Sequence, residues 1–573
     1  MALGANTIFD VRSGGSDTAN GGAFDPGQTA GMLTDGAASS GTGNSPVFSS
    51  ASYNFVAGDV GAWIYVSSGT HWQAGWYQIA SVASNNATLS AAVGQAYLAV
   101  NKNPNGLNTT AGCSSDGTAS LTAATWAIDY SQQNAAQISY SDLNTSGAGL
   151  TVTSAAHPFG KQQVGNALTI ASGTNFTAGT YVIASLSGTT ATLVGAANSS
   201  TGAGSSDGVA GLGGAFATPG KAASKKVAGN DVFWQANGTT PYNLSGNTVN
   251  TAGCQVSDTT GGVDQTNVTW WVGWNTNRHI NCPDTTWPIL NANAQTSLTL
   301  LSFGANYTRA RNLIADGNSK ATLTGISQNA NYSKVDHLKA QNCTVIGLDI
   351  QGGNGVTATS CSATTCSGTA GIRLSNSNVV IAFACEAYAN TTVGISLSVN
   401  AVTICCISSG NTGAGFSTSS VSGNCYSCIA YGNTADGFDM SGSVGNCMFV
   451  NCLAEANGAS GWKTGAVRGL IQLLNCGGYN NTSGNYTSTN LVDVQNFVAN
   501  TTGSFFTNPG SGDFSLNSTA NQGALARAAG FPGLMPRGTT TAYTDIGLQH
   551  QDSGGGATFI APGPFVFGRG SPY

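Results

Sequence analysis

Asp436 and Asp439 stand three residues apart, and Glu455 follows sixteen residues later. Paired carboxylates are what glycan hydrolysis requires, about 5 Å apart for a retaining reaction and about 6.5–9.5 Å apart for an inverting one. These three acids are the candidate catalytic group, and a lyase would need a base among the same residues. The remaining acids offer less. Glu386 and Glu455 are the only glutamates in the chain. They lie three sequence repeats apart, about 14 Å at one strand spacing per repeat, too far to act as a pair. Tyr388, Tyr431 and Tyr479 recur at one repeat position, shared with Ser409 and Glu455, and are the candidate ligand-binding residues. Exposed aromatics in a strip can stack on sugar rings or pack on a second copy of the chain, and the remaining alternative is that loops cover them.

Other chemistry is poorly represented. The pairs Cys361/Cys366, Cys405/Cys406 and Cys425/Cys428 suggest zinc, but the chain has only five histidines and no matching second pair, so no metal is expected. No P-loop or dinucleotide fingerprint occurs between a strand and a helix, and Gly211–Phe216 reads as a glycine linker. No nucleophile elbow is present. No cofactor is expected. Charged residues make up 7 % of the chain, against about 25 % in ordinary soluble proteins. The net charge of −6 is spread thinly and no basic patch with interleaved aromatics appears, which argues against nucleic acid. The start, MALGANTIFDV, has no signal-peptide pattern, and no run of 18 apolar residues occurs, so no membrane insertion is expected.

The elements that position the candidates come from a repeat. Gly–apolar pairs recur at Gly347, Gly371, Gly394, Gly415, Gly437 and Gly461, in steps of 24, 23, 21, 22 and 24 residues. A Cys precedes four of these glycines by nine residues, at Cys385, Cys406, Cys428 and Cys452. Cys361 lies ten before Gly371, Leu338 fills the slot earlier and Cys476 later. Five residues after the slot stand Asn390, Asn411, Asn433, Asn457 and Asn481. Alternation is two-residue, as in strands. Slot positions −2, 0 and +2 are read as inward and +1 and +3 as outward. A coil of 20-odd residues with short strands is a parallel β-helix rung, each stacked on the next by about 4.8 Å. The Cys column is then a ladder of small buried thiols. The Asn column marks a turn where Asn accepts left-handed geometry and bonds the next Asn, and the Gly supplies backbone freedom.

Ahead of this lies a duplication. Val60–Gly94 matches Val164–Asn198 in a frame of Val-Gly, Ser-Gly-Thr, Ala-Gly-x-Tyr and Ala-Thr-Leu, each copy reading as short strands with Gly turns. Thr122–Ala136 lies between them, read as one strand and a linker. Trp63, Trp72, Trp76 and Tyr77 crowd the first copy and suit either its core or a docking face. The fold class expected is all-β: a right-handed parallel β-helix preceded by small duplicated β modules. The expected boundaries are 1–110 and 111–215 for the modules, 216–500 for the β-helix, and 501–573 for terminal rungs and a Gly/Pro-rich tail.

The opening of the β-helix resembles a known family. A short helix is expected over Ala222–Val227, followed by NDVFWQANGTTPY. This is similar to the common start of pectate-lyase-like right-handed β-helix proteins. NLIADGN (Asn312–Asn318) resembles their middle rungs, and Phe514–Asp552, which includes an Asp-Ile-Gly strand, resembles their terminal segment. The resemblance covers roughly residues 218–552. It implies fold more than activity, because such folds host lyases, hydrolases, adhesins and inert fibres. The duplicated module resembles the small β modules ahead of β-helices in bacteriophage tail fibres and tailspikes. The resemblance implies a virion surface protein, a homotrimer that meets other virion proteins through its N-terminal modules and host surface polysaccharide through its solenoid. A binding protein is expected before an enzyme. The alternatives are a polysaccharide depolymerase, either hydrolase or lyase, and a structural decoration or fibre protein without a ligand.

Overall fold

The computed structural model describes residues 3–529 apart from 5, 44, 91–96, 99–102, 105–112, 198–201, 203–204, 277, 279–281, 283, 376–378, 419–422, 443–444, 466–469, 488–491 and 528. The Gly/Pro-rich tail at 554–573 and most of the terminal segment at 514–552 lie outside the described residues. The protein is nearly all β: a parallel β-solenoid of about eight turns and two small six-stranded barrels towards the N-terminus. It divides into two compact units, Met1–Val345 and Ile346–Tyr573.

In the first unit each duplicated module closes into a barrel. The first takes strands Leu33–Ala38, Val47–Ser49, Trp63–Thr70, Gly75–Ala83, Asn86–Leu89 and Leu121–Asp129. The second takes Ile138–Thr145, Thr151–Thr153, Ala167–Ser172, Gly179–Ser187, Thr190–Leu193 and Gly208–Leu212. The apolar stretch after Leu121 therefore closes the first barrel. Closure leaves neither sheet with an open edge. Trp72 and Tyr77 lie in the core of the first barrel. Trp63 and Trp76 pack with Tyr140, Leu168, Tyr181, Phe233 and Trp274 in a second buried cluster. The aromatic crowd is core.

The extreme N-terminus belongs to the solenoid. Ile8–Val11 pairs in parallel with Asp231–Gln235, which pairs with Thr269–Trp274, then Thr308–Asp316, then Lys334–Gln341. The expected helix forms at Pro219–Lys225, with Pro at its start, just before the strand Asp231–Gln235. A buried ionic network joins these parts. The guanidinium of Arg278 donates to both carboxylate oxygens of Asp10, at 3.2 and 2.8 Å, and lies 3.5 Å from Asp129. It sits over the rings of Trp76 and Phe233, 5.2 and 5.1 Å from their centroids. The Trp76 indole N–H donates to Asp129 at 3.0 Å. Burial pushes the Asp129 carboxyl up to about 6 against the pull of Arg278. A second buried pair, Lys226 with Asp258 at 2.9 Å, receives the Trp271 N–H on the other carboxylate oxygen.

The second unit shows what the repeat builds. One row of strands runs Ile346–Gln351, Ala370–Ser375, Val393–Leu397, Phe416–Thr418, Phe438–Met440, Trp462–Thr464 and Tyr486–Thr487, in parallel register. The inward residues after each Gly form a column: Phe416 and Phe438 stack at 4.8 Å and Phe438 and Trp462 at 5.2 Å. The Cys slot lies on the other sheet, where two short strands meet at a one-residue corner. Residue −1 of the slot is left-handed in rung after rung: Ser360, Ala384, Cys405, Ser427, Asn451 and Asn475 all have φ between 50 and 57°. A single left-handed residue shifts the side-chain phase by one. The buried residues before the corner are therefore at −3 (Ala358, Ala382, Thr403, Cys425, Phe449, Leu473), while Phe383, Ile404 and Tyr426 at −2 lie half-buried. Positions 0 and +2 are inward as expected, through Cys385/Ala387 to Cys452/Ala454.

The Asn column is corrected in the same way. The left-handed residue is the one before it: Ala389, Gly410, Gly432, Ala456 and Asn480. Each Asn turns inward and is buried. The amide of Asn390 donates to Asn411 at 2.9 Å, Asn411 to Asn433 at 2.9 Å, Asn433 to Asn457 at 3.0 Å, and Asn457 to Asn481 at 2.8 Å. Each receiving oxygen also accepts the backbone N–H of the preceding Asn, at 3.0–3.2 Å. The second amide hydrogen reaches the carbonyls of Ala363, Ala387, Ser408 and Ala430. The repeated Gly is required by this ladder rather than by backbone freedom. A Cβ at Gly415 would stand 2.7 Å from the Asn433 amide nitrogen, and one at Gly437 would stand 2.8 Å from that of Asn457.

All fourteen cysteines are buried. The slot sulfurs hydrogen-bond inside the solenoid, Cys452 to the Cys425 carbonyl at 3.3 Å and Cys476 to the Phe449 carbonyl at 3.4 Å. Burial pushes the Cys406 and Cys452 thiols well up.

Asn433→Ala removes four hydrogen bonds from a buried column and leaves their partners unsatisfied. It is expected to cost about 3 kcal/mol or more in chemical denaturation, against about 0.5 kcal/mol or less for the exposed Asn237→Ala. Equal losses would contradict the ladder. A water-soluble alkylating reagent should leave the solenoid thiols untouched in the native protein, and mass spectrometry should find all fourteen cysteines modified after unfolding.

Candidate functional site

The outward face of the first row of strands in the second unit carries one continuous polar column. Register places Asp349, Arg373, Ser396, Ser417, Asp439, Lys463 and Thr487 side by side. From Asp349 to Lys463 each lies inside a strand whose flanking residues turn inward, so period-2 alternation sets their direction. At one end Arg373 grips Asp349 with two parallel bonds, at 2.8 and 2.6 Å. Gln351 also donates to Asp349. At the other end the Lys463 ammonium lies 3.3 Å from Asp436 and 3.9 Å from Asp439. Between these pairs the hydroxyls of Ser396 and Ser417 have no hydrogen-bond partner among the described residues.

The structure thus brings Asp436 and Asp439 together around the Lys463 cation. Asp436 is buried and accepts the Ser460 N–H at 2.9 Å; Asp439 is partly exposed and accepts the Ser441 N–H at 2.9 Å. Asp439 first, then Asp436, raises the Lys463 ammonium above its ordinary range, and the hydrogen bond that Arg373 donates to Asp349 does the same for Arg373. Both cations are held protonated. Neither serves as a base near neutral pH, and each carboxylate is already bound to backbone and to a cation. The column is built to offer fixed donors and acceptors.

Glu455 does not join the two aspartates. It stands on Leu453–Glu455, a strand of the corner sheet, and is 2 % exposed. Its Oε2 accepts the Phe505 N–H at 2.9 Å. Burial raises its carboxyl above the ordinary range. The reason is a segment that returns along the corner sheet. Phe505, Phe506, Phe514, Leu516 and Ala526 pack on Ile407, Ile429 and Leu453. Those three occupy the +1 column, read as outward and solvated. Their rung spacing was the available signal that something apolar covers them. The cover also takes two of the three candidate tyrosines. Tyr431 packs edge-on against Phe506 and Phe514, at 6.1 and 5.5 Å, and Tyr479 lies against the same cluster. Tyr388 alone is open, 38 % exposed. No cluster able to hold a metal ion occurs among the described residues. No described helix is long and apolar enough to cross a membrane.

No family model and no curated protein matches the chain. Among solved structures, pectate lyase Pel9A is similar at 14 % identity with a TM-score of 0.45, over 59 % of this chain and 92 % of that one. A rhamnogalacturonan lyase is similar at 14 % identity and a TM-score of 0.34, over 49 % and 82 %. Geobacillus virus E2 ORF18 is similar at 11 % identity and a TM-score of 0.25, over 48 % and 53 %. The fold described above stands on the strand register of this chain.

Glu455 gives a pH signature. Its carboxyl is raised in the folded state by burial. The contribution is therefore present below the unfolded value, near 4.3, and is lost as pH rises through the folded one. The cover segment should resist proteolysis better near pH 4 than near pH 8, as judged by nicking between residues 500 and 527. Glu455→Gln should flatten that dependence while keeping the acceptor for Phe505. An unchanged pH profile in the variant would contradict the assignment.

Proposed function

We propose that this protein is a virion surface protein of the tail fibre or tailspike type, which attaches to a host cell through a surface glycan. The observation that carries the reading is the polar column from Asp349 to Thr487, with Ser396 and Ser417 unengaged between two ion pairs. Its elements repeat every about 4.8 Å, close to the length of one sugar unit in an extended chain. A row of fixed donors and acceptors at that spacing suits a linear polysaccharide. It does so without ordering entropy, because each side chain is held by the sheet beneath it. The strands are paired in register with their neighbours, which suits recognition of a repeating surface. The duplicated barrels in the first unit suit attachment to, or spacing from, a particle, and trimeric assembly is the arrangement we propose for it.

Hydrolysis is the weaker reading. It needs a carboxyl able to give a proton. Asp436 and Asp439 share a lysine, and Glu455 is spent on Phe505.

Fluorescently labelled protein is expected to bind a subset of bacterial strains in a panel, and to lose that binding when the strains lack surface polysaccharide. Ser396→Trp with Ser417→Trp, which fills the column without touching the core, should lower cell binding tenfold or more. Binding that survives both the loss of polysaccharide and the double substitution would overturn the reading.

A further inference from the structure

The first unit carries a second feature on its own corner sheet. Arg309 stands between two register partners, Trp270 on one neighbouring strand and Lys334 on the other. Strand alternation turns all three outward. Strand spacing sets Arg309 and Lys334 about 4.8 Å apart at the backbone. Such a contact between like charges is destabilising unless something negative lies beside it. Acids outnumber bases in this chain 24 to 18, so a partner would not be hard to supply, yet neither cation makes an ion pair among the described residues. The nearby acids are engaged elsewhere. Asp336 pairs with Arg311 at 3.0 Å and with His337 at 2.6 Å. Asp231 accepts the Trp270 N–H at 2.8 Å. Asp264 accepts from Thr266 and Asn267. Among the described residues Arg309 donates only to the backbone carbonyls of Thr308 and Tyr332, which fix its orientation, and Lys334 has no polar partner. Burial lowers the Arg309 guanidinium to about 10; burial, then Arg309, lowers the Lys334 ammonium.

A tyrosine precedes each cation by two residues, Tyr307 before Arg309 and Tyr332 before Lys334. Tyr307 and Tyr332 stack face to face, 5.4 Å between centroids and 8° between planes. Both stand at left-handed backbone positions, φ 61° and 54°, just before the strands that start at Thr308 and Lys334. A bulky residue at such a position carries backbone strain. The cost recurs in two consecutive rungs and holds the two rings stacked on each other, with Tyr332 exposed.

We propose that Arg309 and Lys334, flanked by the Tyr307–Tyr332 stack, bind the anionic group of a glycan, a uronate carboxylate or a sugar sulfate. The planar guanidinium, already aimed by the Tyr332 carbonyl, takes the anion through two donors, and the ammonium adds a point charge. The open face of Tyr332 takes the apolar face of the sugar ring. The anion relieves the repulsion between the two cations, and that relief adds to affinity. The inference deepens the glycan-attachment reading and rests on it for the polymer; it adds the charge that the polymer carries.

Titration calorimetry of the full-length protein with polygalacturonate, chondroitin sulfate and neutral dextran tests it. Binding to one or both acidic polymers is expected, weakening as salt rises, with none to dextran. Arg309→Gln with Lys334→Gln should lower the affinity at least tenfold. Lys334→Gln alone, at an exposed position, should lower it severalfold with an unchanged melting temperature, which separates lost binding from lost fold. Wild-type protein that binds neither acidic polymer, or a double variant that binds as the wild type does, would overturn the inference. The strain panel separates the two readings. Cells bound equally by wild type and double variant would sink this site and leave attachment standing. Binding of acidic polymers lost in the double variant, with no cell bound by either, would sink attachment and leave the site.

Discussion

The buried asparagine ladder is the constraint on which the second unit depends. An amide inside a protein must satisfy two donors and an acceptor, or it costs more than it returns. Each Asn here does so only because the next rung lies in register one strand spacing away. Its oxygen receives the amide and the backbone N–H of the rung before, and its nitrogen reaches onward and across. A slip of one residue would leave several buried groups empty at once. The ladder therefore fixes register in a stack whose apolar positions, mostly small and interchangeable, would fix it weakly.

The other features of the repeat follow from it. The left-handed residue before the Asn turns the chain so that the amide points inward. The Gly nine residues after the Cys slot clears the space that the amide fills. The small inward residue two places after the slot, Ala in most rungs, supplies a carbonyl for the amide and leaves room beneath it. Cys fits its slot as a small apolar group that still donates weakly to a carbonyl. With register set this firmly, outward columns become straight rows, and a row of seven polar side chains can meet a polymer that repeats.

Much of this was legible in the sequence, for physical reasons. The repeat and the inward slot and +2 positions came from spacing alone, because stacked rungs place equal residues in equal surroundings. The phase before the corner was not legible. One left-handed residue, filled by Ser, Ala, Cys or Asn in different rungs, leaves no composition signal and shifts every preceding side chain by one. The fate of Glu455 and Tyr431 depended on a segment 50 or more residues away, and only the apolar Ile407, Ile429 and Leu453 pointed to it. The role of Ile8–Val11 in the solenoid was hidden for a similar reason, since its parallel partner lies more than 200 residues on. Lys463 was visible as a charge but not as the meeting point of two aspartates.

Hydrogen exchange followed by mass spectrometry tests the central claim most directly. If the ladder binds the rungs into one in-register block, the backbone amides of Asn390, Asn411, Asn433 and Asn457, each given to the next Asn oxygen, should exchange at one common slow rate. That rate should be set by unfolding of the whole stack, and Asn433→Ala should speed all four. Rates that differ from rung to rung by orders of magnitude, or a variant that loosens only its own corner, would contradict the account.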